Sequence, residues 1–324
     1  MKVIVTGGCG YIGSHVARAF KFNGNEVHII DQVYRKHTLV NIDSYMIADF
    51  SSNEALSFIN MLEPDVIVHC AGTSLVGPSM TNPAEYYDNN ISKLITMLSV
   101  IKDMPRPPLI LFSSSASVYG EPDVVPVTEC GTIKPISVYG NTKAMVETIL
   151  EDYGRAYGIV SVCFRYFNAA GAMPLTADLG QEPGATHIVA RVLEAQLQNK
   201  TFSVNGNDYP TADGTCVRDY VHVWDIAQAH IRAVELVSSP GLHNYYNKLT
   251  FNLGTGQGIS NQEIVDYVDS KYGLLDITYG PKREGDPATL VADATEANEL
   301  LGWRPKHSTL AEIVDSAYQW YCRV

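Results

Sequence analysis

Residues 3–16 read VIVTGGCGYIGSHV, an apolar run that passes through glycines into a helical pattern. Gly8, Gly10 and Gly13 satisfy the spacing G-x-G-x-x-G, and Gly7, Gly10 and Gly13 satisfy a wider three-glycine spacing. Such glycines permit a tight turn and let backbone N–H groups at the start of a helix approach a pyrophosphate. The glycines lie between a strand pattern and an amphipathic helix pattern, so this stretch predicts a dinucleotide-binding turn rather than an ordinary strand-to-helix connection.

An acidic residue follows the next apolar run. Asp31 ends the strand-like run 27–30, where a carboxylate accepts hydrogen bonds from the adenosine ribose and repels a 2′-phosphate. NAD is therefore favoured over NADP, although Arg35 and Lys36 lie close enough to keep NADP open. Asp49 follows a second apolar run, and its position is equally compatible with an adenine contact and with a strand-end cap.

Short apolar runs and helical periods alternate through the first half of the chain. The strand-like runs are 3–5, 27–30, 66–68, 109–112 and 160–164. Helical periods begin at Tyr11, after Pro83 and at Tyr139, and the second of them places Tyr87, Ile91, Leu94, Ile95, Leu98 and Ile101 on one face. Because parallel strands need long crossovers, this alternation predicts an α/β fold with a parallel sheet covered by helices on both faces.

The pattern changes near residue 171, where a loop-rich stretch precedes mixed short strands and helices. We therefore expect a nucleotide-binding domain over 1–170 and a smaller mixed α/β substrate lobe over 171–324. The apolar stretch 251–254 has the composition of a buried strand and is expected to rejoin the first sheet.

Composition narrows the classes of partner. The chain has 46% hydrophobic and 18% charged residues, and its formal net charge of -12 disfavours nucleic acid and anionic membrane surfaces. The six cysteines are scattered without zinc-ligand spacing, so no metal site is predicted. Scattered cysteines and the absence of a long apolar segment predict a cytoplasmic protein.

Tyr139 and Lys143 form a Y-x-x-x-K spacing. On a helix these positions share a face, so the ammonium is expected to lie near the phenol and to lower its pKa. A positive nicotinamide ring would act in the same direction and make the tyrosine a usable acid and base. The alternative is a surface helix with an ordinary tyrosine and lysine.

A serine run supports the catalytic interpretation. The apolar run 109–112 leads into Ser113-Ser114-Ser115, at the carboxyl end of a predicted central strand, where open α/β sheets bind ligands. Ser115 is the best candidate for a hydroxyl that shares a substrate oxygen with Tyr139. The alternative is a turn that simply ends the strand.

Motifs along nearly the whole chain resemble one family. They are TGGCGYIGSH (6–15), EYYDNN (85–90), SSSASVYG (113–120), YGNTK (139–143), RYFNAAGA (165–172), GNDYPTADGTCVRDYVHV (206–223) and KREGDP (282–287). In this order they resemble the extended short-chain dehydrogenase/reductase family, and within it the UDP-hexose 4-epimerases. The resemblance implies a Rossmann-like doubly wound sheet, NAD as cofactor, a UDP-sugar substrate and a homodimer.

The resemblance also implies residue roles. The catalytic positions are Ser115, Tyr139 and Lys143. The positions that bind NAD are Gly7, Gly10, Tyr11, Ile12, Gly13, Asp31, Asp49, Phe50, Asn89, Ser113, Tyr139, Lys143 and Phe167. The positions that bind the UDP-sugar are Ser115, Asn168, Asn205, Arg218, Arg283, Asp286 and Leu290. Two guanidinium groups are well suited to a diphosphate, because each forms bidentate hydrogen bonds.

The implied reaction is NAD-dependent 4-epimerisation of UDP-glucose and UDP-galactose, with the N-acetylated pair as an extension. Tyr139 would take the 4-hydroxyl proton while the C4 hydride passes to NAD, and a transient 4-keto sugar would turn over before the hydride returns. One rival is an NDP-sugar 4,6-dehydratase, which needs an acid where this chain has only serines. Another is a non-catalytic dinucleotide sensor, which has no need of Tyr139, Lys143 and Ser115.

The chain departs from the family pattern at defined positions. Ser74 stands where many members carry a cofactor-contacting lysine, and the stretch between Asp31 and Asp49 is short. Leu290 falls where members restricted to glucose and galactose carry a tyrosine, so the smaller leucine predicts room for an N-acetyl group. An ordinary core leucine is the alternative at that position.

Overall fold

A computed structural model describes residues 1–174, 176–239, 248–273, 276–283 and 286–324 of the chain. Within those ranges, no helix combines the length and the apolar character needed to cross a membrane. Glu284 and Gly285 of the KREGDP motif lie outside the described residues, whereas Arg283 and Asp286 lie within them.

The described strands and helices follow one another along the whole chain. The strands, in chain order, are β1 (Lys2–Thr6), β2 (Glu26–Asp31), β3 (Ser44–Ile47), β4 (Val66–His69), β5 (Leu109–Ser115), β6 (Ser161–Tyr166), β7 (Asn168–Ala170), β8 (Phe202–Asn205), β9 (Val217–His222), β10 (Lys248–Leu253), β11 (Gly258–Ser260), β12 (Ile277–Gly280) and β13 (Thr289–Leu290). The α-helices are α1 (Tyr11–Phe22), α2 (Asn53–Leu62), α3 (Val76–Thr81), α4 (Pro83–Tyr87), α5 (Lys93–Ile101), α6 (Val138–Tyr157), α7 (Ile188–Leu197), α8 (Val223–Val237), α9 (Asn261–Tyr272), α10 (Thr295–Leu300) and α11 (Leu310–Tyr321). Short 3₁₀ helices span Lys36–Leu39 and Ala116–Val118, and a π-helical turn spans Asp88–Ser92.

The central sheet has seven parallel strands in the order β10-β6-β5-β4-β1-β2-β3. Alternate residues of β1 supply its two faces. Val3 and Val5 pack in a core with α1, α8 and α10, whereas Ile4 packs in a second core with α2, α5 and α6. Val3, Ile4 and Val5 are all fully buried, because helices cover both sides of this strand. The predicted doubly wound parallel sheet is confirmed.

Strand β10 reaches the sheet from far along the chain. It pairs in parallel with β6, and Phe251 lies opposite Phe164 in the register. Both rings are buried, with centroids 6.3 Å apart. Because the two strands are parallel neighbours, the residues that follow β6 and those that follow β10 lie side by side at the same end of the sheet.

The elements that follow β6, apart from α8, β10 and α10, form a smaller lobe beside the carboxyl ends of the strands. β9 pairs with β7, β11 and β13, and β8 pairs in parallel with β12. A third core, formed mainly by α7, α9 and α11, covers these strands. The cleft between this lobe and the central sheet holds the candidate site.

The helical period after Pro83 is broken by the π-helical turn. The wider turn shifts the buried tyrosine by one position, so that Tyr86 is buried and Tyr87 is 36% exposed. Ile95, at the edge of the predicted face, is 41% exposed. The prediction was therefore wrong for Tyr87 and Ile95 and right for the other members of the face, which are buried.

Candidate active site

The glycine turn connects β1 to α1 beneath the cleft. Gly7 has a φ of +71°, and a Cβ on Gly13 would lie 2.3 Å from the Gly7 carbonyl oxygen, so neither position admits a larger residue without rearrangement. Gly10 is the N-cap of α1 and offers no side-chain cap. The first N–H groups of α1 are therefore free to bind an anion in the cleft.

Asp31 holds the turn from the end of β2. One carboxylate oxygen accepts from the Cys9 N–H at 2.9 Å, and the other accepts from the Val33 N–H at 3.0 Å. The Arg35 guanidinium donates to the Cys9 carbonyl at 2.8 Å and lies 3.7 Å from Glu182. The Arg35 guanidinium is therefore bound to other groups of the protein. Arg35 also lines the cleft, which is why its positive charge left NADP as an alternative cofactor.

Asp49 is absent from the lining of the cleft, although its partner Lys93 lines it. Its neighbours Ala48 and Phe50 line the cleft, and its carboxylate lies 2.6 Å from the Lys93 ammonium. Burial opposes the charge on Asp49, but hydrogen bonds from Lys93 and Ser51 outweigh it and hold the pKa below its ordinary value.

Lys93 is a cleft residue that the sequence analysis missed. Its ammonium donates to the side-chain oxygen of Asn89 at 2.7 Å as well as to Asp49. The sequence feature that could have identified Lys93 is its spacing of four residues from Asn89, because this spacing places both residues on one side of a helix. Ser74, at the family's lysine position, also lines the cleft.

Lys143 is buried near the carboxyl end of β5. Its ammonium donates to the Ser113 carbonyl at 2.7 Å and lies 4.8 Å from the ring centroid of Phe112. Burial lowers its pKa to about 8, and the nearby Cys70 and Glu147 oppose this shift.

Tyr139 lies on the same helix, one turn before Lys143. The Lys143 ammonium does lie near it, 5.7 Å from the ring centroid. Burial nevertheless raises the pKa of Tyr139, and a hydrogen bond with Ser115 only opposes the shift. The lowering expected from Lys143 together with a positive nicotinamide ring stays a prediction, because in the protein alone the cost of burying a phenolate sets the direction of the shift.

A buried ion pair supports this part of the site from behind. Arg165 on β6 contacts both carboxylate oxygens of Glu147 on α6, at 3.0 and 2.6 Å. The Ser114 hydroxyl donates to the same carboxylate at 2.5 Å. This pair was not predicted from the sequence. The available signal was the position of Glu147, four residues after Lys143 on the same helix face.

The far end of the cleft is rich in arginine. Arg218 on β9 is 8% exposed and lies 3.6 Å from Asp286, and its guanidinium also donates to the Val217 carbonyl at 2.9 Å. Arg283 is exposed and lines the same end of the cleft. Arg191 on α7 was missed by the sequence analysis, and its guanidinium lies 5.6 Å from the ring centroid of Phe202.

One cavity of about 1360 Å³ brings these residues together. Of the predicted site residues, Asp49 is absent from its lining. Those that line it are Gly7, Gly10, Tyr11, Ile12, Gly13, Asp31, Phe50, Asn89, Ser113, Ser115, Tyr139, Lys143, Phe167, Asn168, Asn205, Arg218, Arg283, Asp286 and Leu290. The cavity therefore extends from the glycine turn, past Tyr139, to the arginines of the smaller lobe.

The lining fits a dinucleotide at one end. The glycine turn leaves uncapped N–H groups beside the cavity, and Asp31 closes it at the end of the neighbouring strand. A parallel doubly wound sheet with this turn defines a Rossmann-type dinucleotide-binding protein. The chain belongs to the NAD dependent epimerase/dehydratase family, whose model matches residues 3–253.

Relatives within that family are similar over almost their whole length. A UDP-glucose 4-epimerase of Lactobacillus helveticus is 38% identical, over 99% of this chain and 97% of the relative. The crystal structure of UDP-glucose 4-epimerase from Brucella ovis in complex with NAD has a TM-score of 0.89 and 34% identity, with 98% of each chain covered. The UDP-glucose-4-epimerase of Stenotrophomonas maltophila, with bound NAD and formylated UDP-arabinopyranose, has a TM-score of 0.91 and 32% identity, covering 100% of this chain and 98% of that one.

Proposed function

We infer that the chain catalyses the NAD-dependent 4-epimerisation of a UDP-hexose and interconverts UDP-glucose and UDP-galactose. The observation that carries this inference is the single cavity shared by the glycine turn, Tyr139 with Lys143, and Arg218 with Arg283. It has a dinucleotide end, a proton-transfer centre and a diphosphate end in that order, in a chain 38% identical to a UDP-glucose 4-epimerase.

Tyr139 is the proposed acid and base. NAD held by the glycine turn would supply the hydride acceptor and donor for C4 of the sugar. Tyr139 takes the proton of the 4-hydroxyl as the 4-keto sugar forms and gives it back on reduction. Ser115 is within hydrogen-bonding reach of the phenol, so it orients the same sugar oxygen. Lys143 supplies positive charge beside the phenol and the adjoining ribose.

Arg218 and Arg283 are proposed to hold the diphosphate. Asp286 contacts Arg218 and orients its guanidinium, while Asn168 and Asn205 supply amide groups to the same lobe of the cavity. A firm hold on UDP leaves the hexose free to turn over, which a 4-keto sugar must do to receive the hydride on its other face.

The site favours epimerisation over dehydration. A 4,6-dehydratase needs an acid at the end of β5, where this chain has Ser113, Ser114 and Ser115. The carboxylate nearest to that run, Glu147, is paired with Arg165 and bonded to Ser114, so it does not serve the cavity. A non-catalytic sensor would have no reason to bury a lysine beside a tyrosine at the cost of its solvation.

The test is to incubate the purified protein with UDP-galactose, without added cofactor, and to identify the products by NMR and mass spectrometry. UDP-glucose at unchanged mass supports the inference. A product that has lost water would show that the chain is a dehydratase. If the protein binds NAD but converts no substrate, the non-catalytic sensor would be the remaining interpretation.

We further propose that the N-acetylated pair is accepted. Leu290 is 8% exposed, lines the cavity and packs near Phe167. A leucine occupies less space than a tyrosine, so it leaves room beside the 2-substituent of the sugar. Leu290→Tyr is expected to abolish activity on UDP-N-acetylglucosamine while it retains activity on UDP-glucose. Equal losses on both substrates, or an inactive wild type on the N-acetylated pair, would contradict this proposal.

Three further features are also proposals. We propose that residues 1–170, joined by the strand at 251–254, bind NAD and that residues 171–324 bind the UDP-sugar.

A homodimer is proposed through α5 and α6, whose Ile95 and Met145 are 41% and 39% exposed, and sedimentation at twice the chain mass would support it. A cytoplasmic location is proposed because all six cysteines are free thiols.

A further inference from the structure

A chain of hydrogen bonds leads from the cleft wall into the core behind it. The Ser113 carbonyl accepts from the Lys143 ammonium, and the Ser113 hydroxyl lies 3.0 Å from the Tyr166 phenol oxygen. That oxygen lies 2.9 Å from Nε2 of His230, whose Nδ1 lies 2.9 Å from the Ile226 carbonyl oxygen. His230 is fully buried and Tyr166 is 6% exposed.

The partners determine which atom donates and which accepts in each of these hydrogen bonds. A carbonyl oxygen can only accept, so His230 donates from Nδ1, and in a neutral imidazole Nε2 must then accept. Burial lowers the pKa of His230 to about 4, which keeps the ring neutral at pH 7. Burial also raises the pKa of Tyr166, so its phenol keeps its hydrogen and donates it to His230.

The direction determines what the cleft wall offers to a ligand. Tyr166 and Ser113 both line the cavity beside Tyr139 and Lys143. Because the Tyr166 phenol donates its hydrogen to His230, its oxygen can only accept a hydrogen bond from a ligand. The one hydrogen of the Ser113 hydroxyl faces two acceptors, that oxygen and the Cys70 sulfur at 3.1 Å, so Ser113 also presents lone pairs to the cavity.

We propose that His230 is a positioning residue that makes this wall a hydrogen-bond acceptor through Tyr166 and Ser113, and that the wall selects the primary amide of the nicotinamide ring. The proposal rests on the function inferred above, since it places the nicotinamide beside Tyr139. A primary amide carries two N–H donors, and a wall of acceptors holds it in one orientation. His230 thereby influences which face of the ring meets the sugar, without contacting either.

The test compares dissociation constants of the full-length chain, freed of nucleotide, for three probes. These are NAD, 3-acetylpyridine adenine dinucleotide, in which a methyl ketone replaces the amide, and ADP-ribose, which lacks the ring. The wild type is expected to prefer NAD to the acetylpyridine probe by about tenfold, the loss typical of one hydrogen bond. In His230→Leu the preference should fall towards one, while ADP-ribose binds as before.

Matched variants separate positioning from a general effect on folding. His28 is also buried, and its Nδ1 lies 2.7 Å from the Ser44 hydroxyl, outside the cavity lining. His28→Leu should therefore keep the tenfold preference. His230→Gln, whose amide oxygen can accept from Tyr166, should restore part of it. If His230→Leu does not fold, Tyr166→Phe tests the same link and should also lose the preference.

The outcomes are distinguishable. A folded His230→Leu protein, or failing that Tyr166→Phe, with an unchanged preference for NAD would overturn this proposal while leaving the epimerase inference intact. A parallel loss of affinity for all three probes would also overturn it, because it would show a structural role only. A wild type that binds no NAD would overturn both.

Discussion

Tyr139 is a half-buried residue whose pKa is raised by desolvation of the phenol, and a hydrogen bond with Ser115 opposes that shift. Its resting form is therefore the protonated one at neutral pH. Positive charge close to the ring favours the phenolate, and Lys143 brings one such charge to 5.7 Å. The pairing of Tyr139 with Lys143 was predictable from an i, i+4 spacing, whereas the balance between burial and charge was not.

Tyr139→Phe removes the proposed proton acceptor without changing the shape of the ring. We expect turnover of UDP-galactose to fall by about 10²–10⁴-fold, the range for a positioned acid or base. Bound NAD, measured by absorbance after release from the protein, should remain near the wild-type content. Tyr157→Phe is the control, because Tyr157 is 48% exposed on the same helix. Near-normal turnover of Tyr139→Phe would remove Tyr139 from the mechanism.

Helix α6 organises the chemical end of the cleft. The Ser137 hydroxyl accepts from the Gly140 N–H at 3.0 Å and caps the helix. Tyr139, Lys143 and Glu147 follow at four-residue spacing, so one face carries all of them. Glu147 anchors that face to β5 and β6 through Ser114 and Arg165.

Glu147→Gln should destabilise the protein far more than a surface charge change does. Both side chains of the Glu147–Arg165 pair are 6% exposed, and loss of the carboxylate leaves Arg165 buried without its counter-ion. The expected loss in the free energy of unfolding is about 3–5 kcal/mol, measured by chemical denaturation. Arg155→Ala breaks exposed pairs on the same helix and should cost less than about 1 kcal/mol. Similar small losses for both variants would contradict a structural role for the pair.

At the scale of the whole molecule, β10 joins the segment around residue 127 to the central sheet. The side-chain amide of Asn252 donates to the Val127 carbonyl at 2.8 Å, and the backbone N–H of Asn252 donates to the Glu129 carboxylate at 2.7 Å. Burial raises the pKa of Glu129 to about 7, and the carboxylates of Glu296 and Asp293 add to the shift. This junction therefore titrates near neutral pH.

Glu129→Gln should change how stability depends on pH. An acid whose folded pKa exceeds its unfolded value binds its proton more tightly when folded. Its contribution is therefore full below about pH 4.5 and is lost as the pH rises through about 7. The Tm of Glu129→Gln relative to wild type should rise by a few degrees across that window and then level off, as melting curves at several pH values would record.

Asp43→Asn is the contrasting variant. The Lys21 ammonium and the Val27 N–H hold the pKa of Asp43 below its ordinary value. Its contribution is therefore present above the unfolded pKa and is lost as the pH falls through the folded one. Relative to wild type, Asp43→Asn should lose most near neutral pH and least in acid. If both variants shifted in the same direction, the assignment of Glu129 as a raised acid would be wrong.

Features that depend on neighbouring residues were readable from the sequence itself. The glycine turn, the strand runs, the Tyr139–Lys143 spacing and the serine run were predicted, because turn geometry and residue periodicity act over a few positions. The helical face after Pro83 was partly wrong because the π-helical turn at Asp88–Ser92 changes the period, and a single sequence carries no clear signal for it.

The tertiary structure alone decided which distant residues meet and what their surroundings do to them. It placed Lys93 against Asp49, paired Glu147 with Arg165, and linked Tyr166 to His230 across 64 positions. It also decided that burial raises the pKa of Tyr139. Such contacts depend on how sheet and helices pack in space, and desolvation depends on every atom that surrounds a group. Neither is encoded in local spacing, so the sequence determined the elements and the chemistry available, and packing determined the polarity and charge of the cleft.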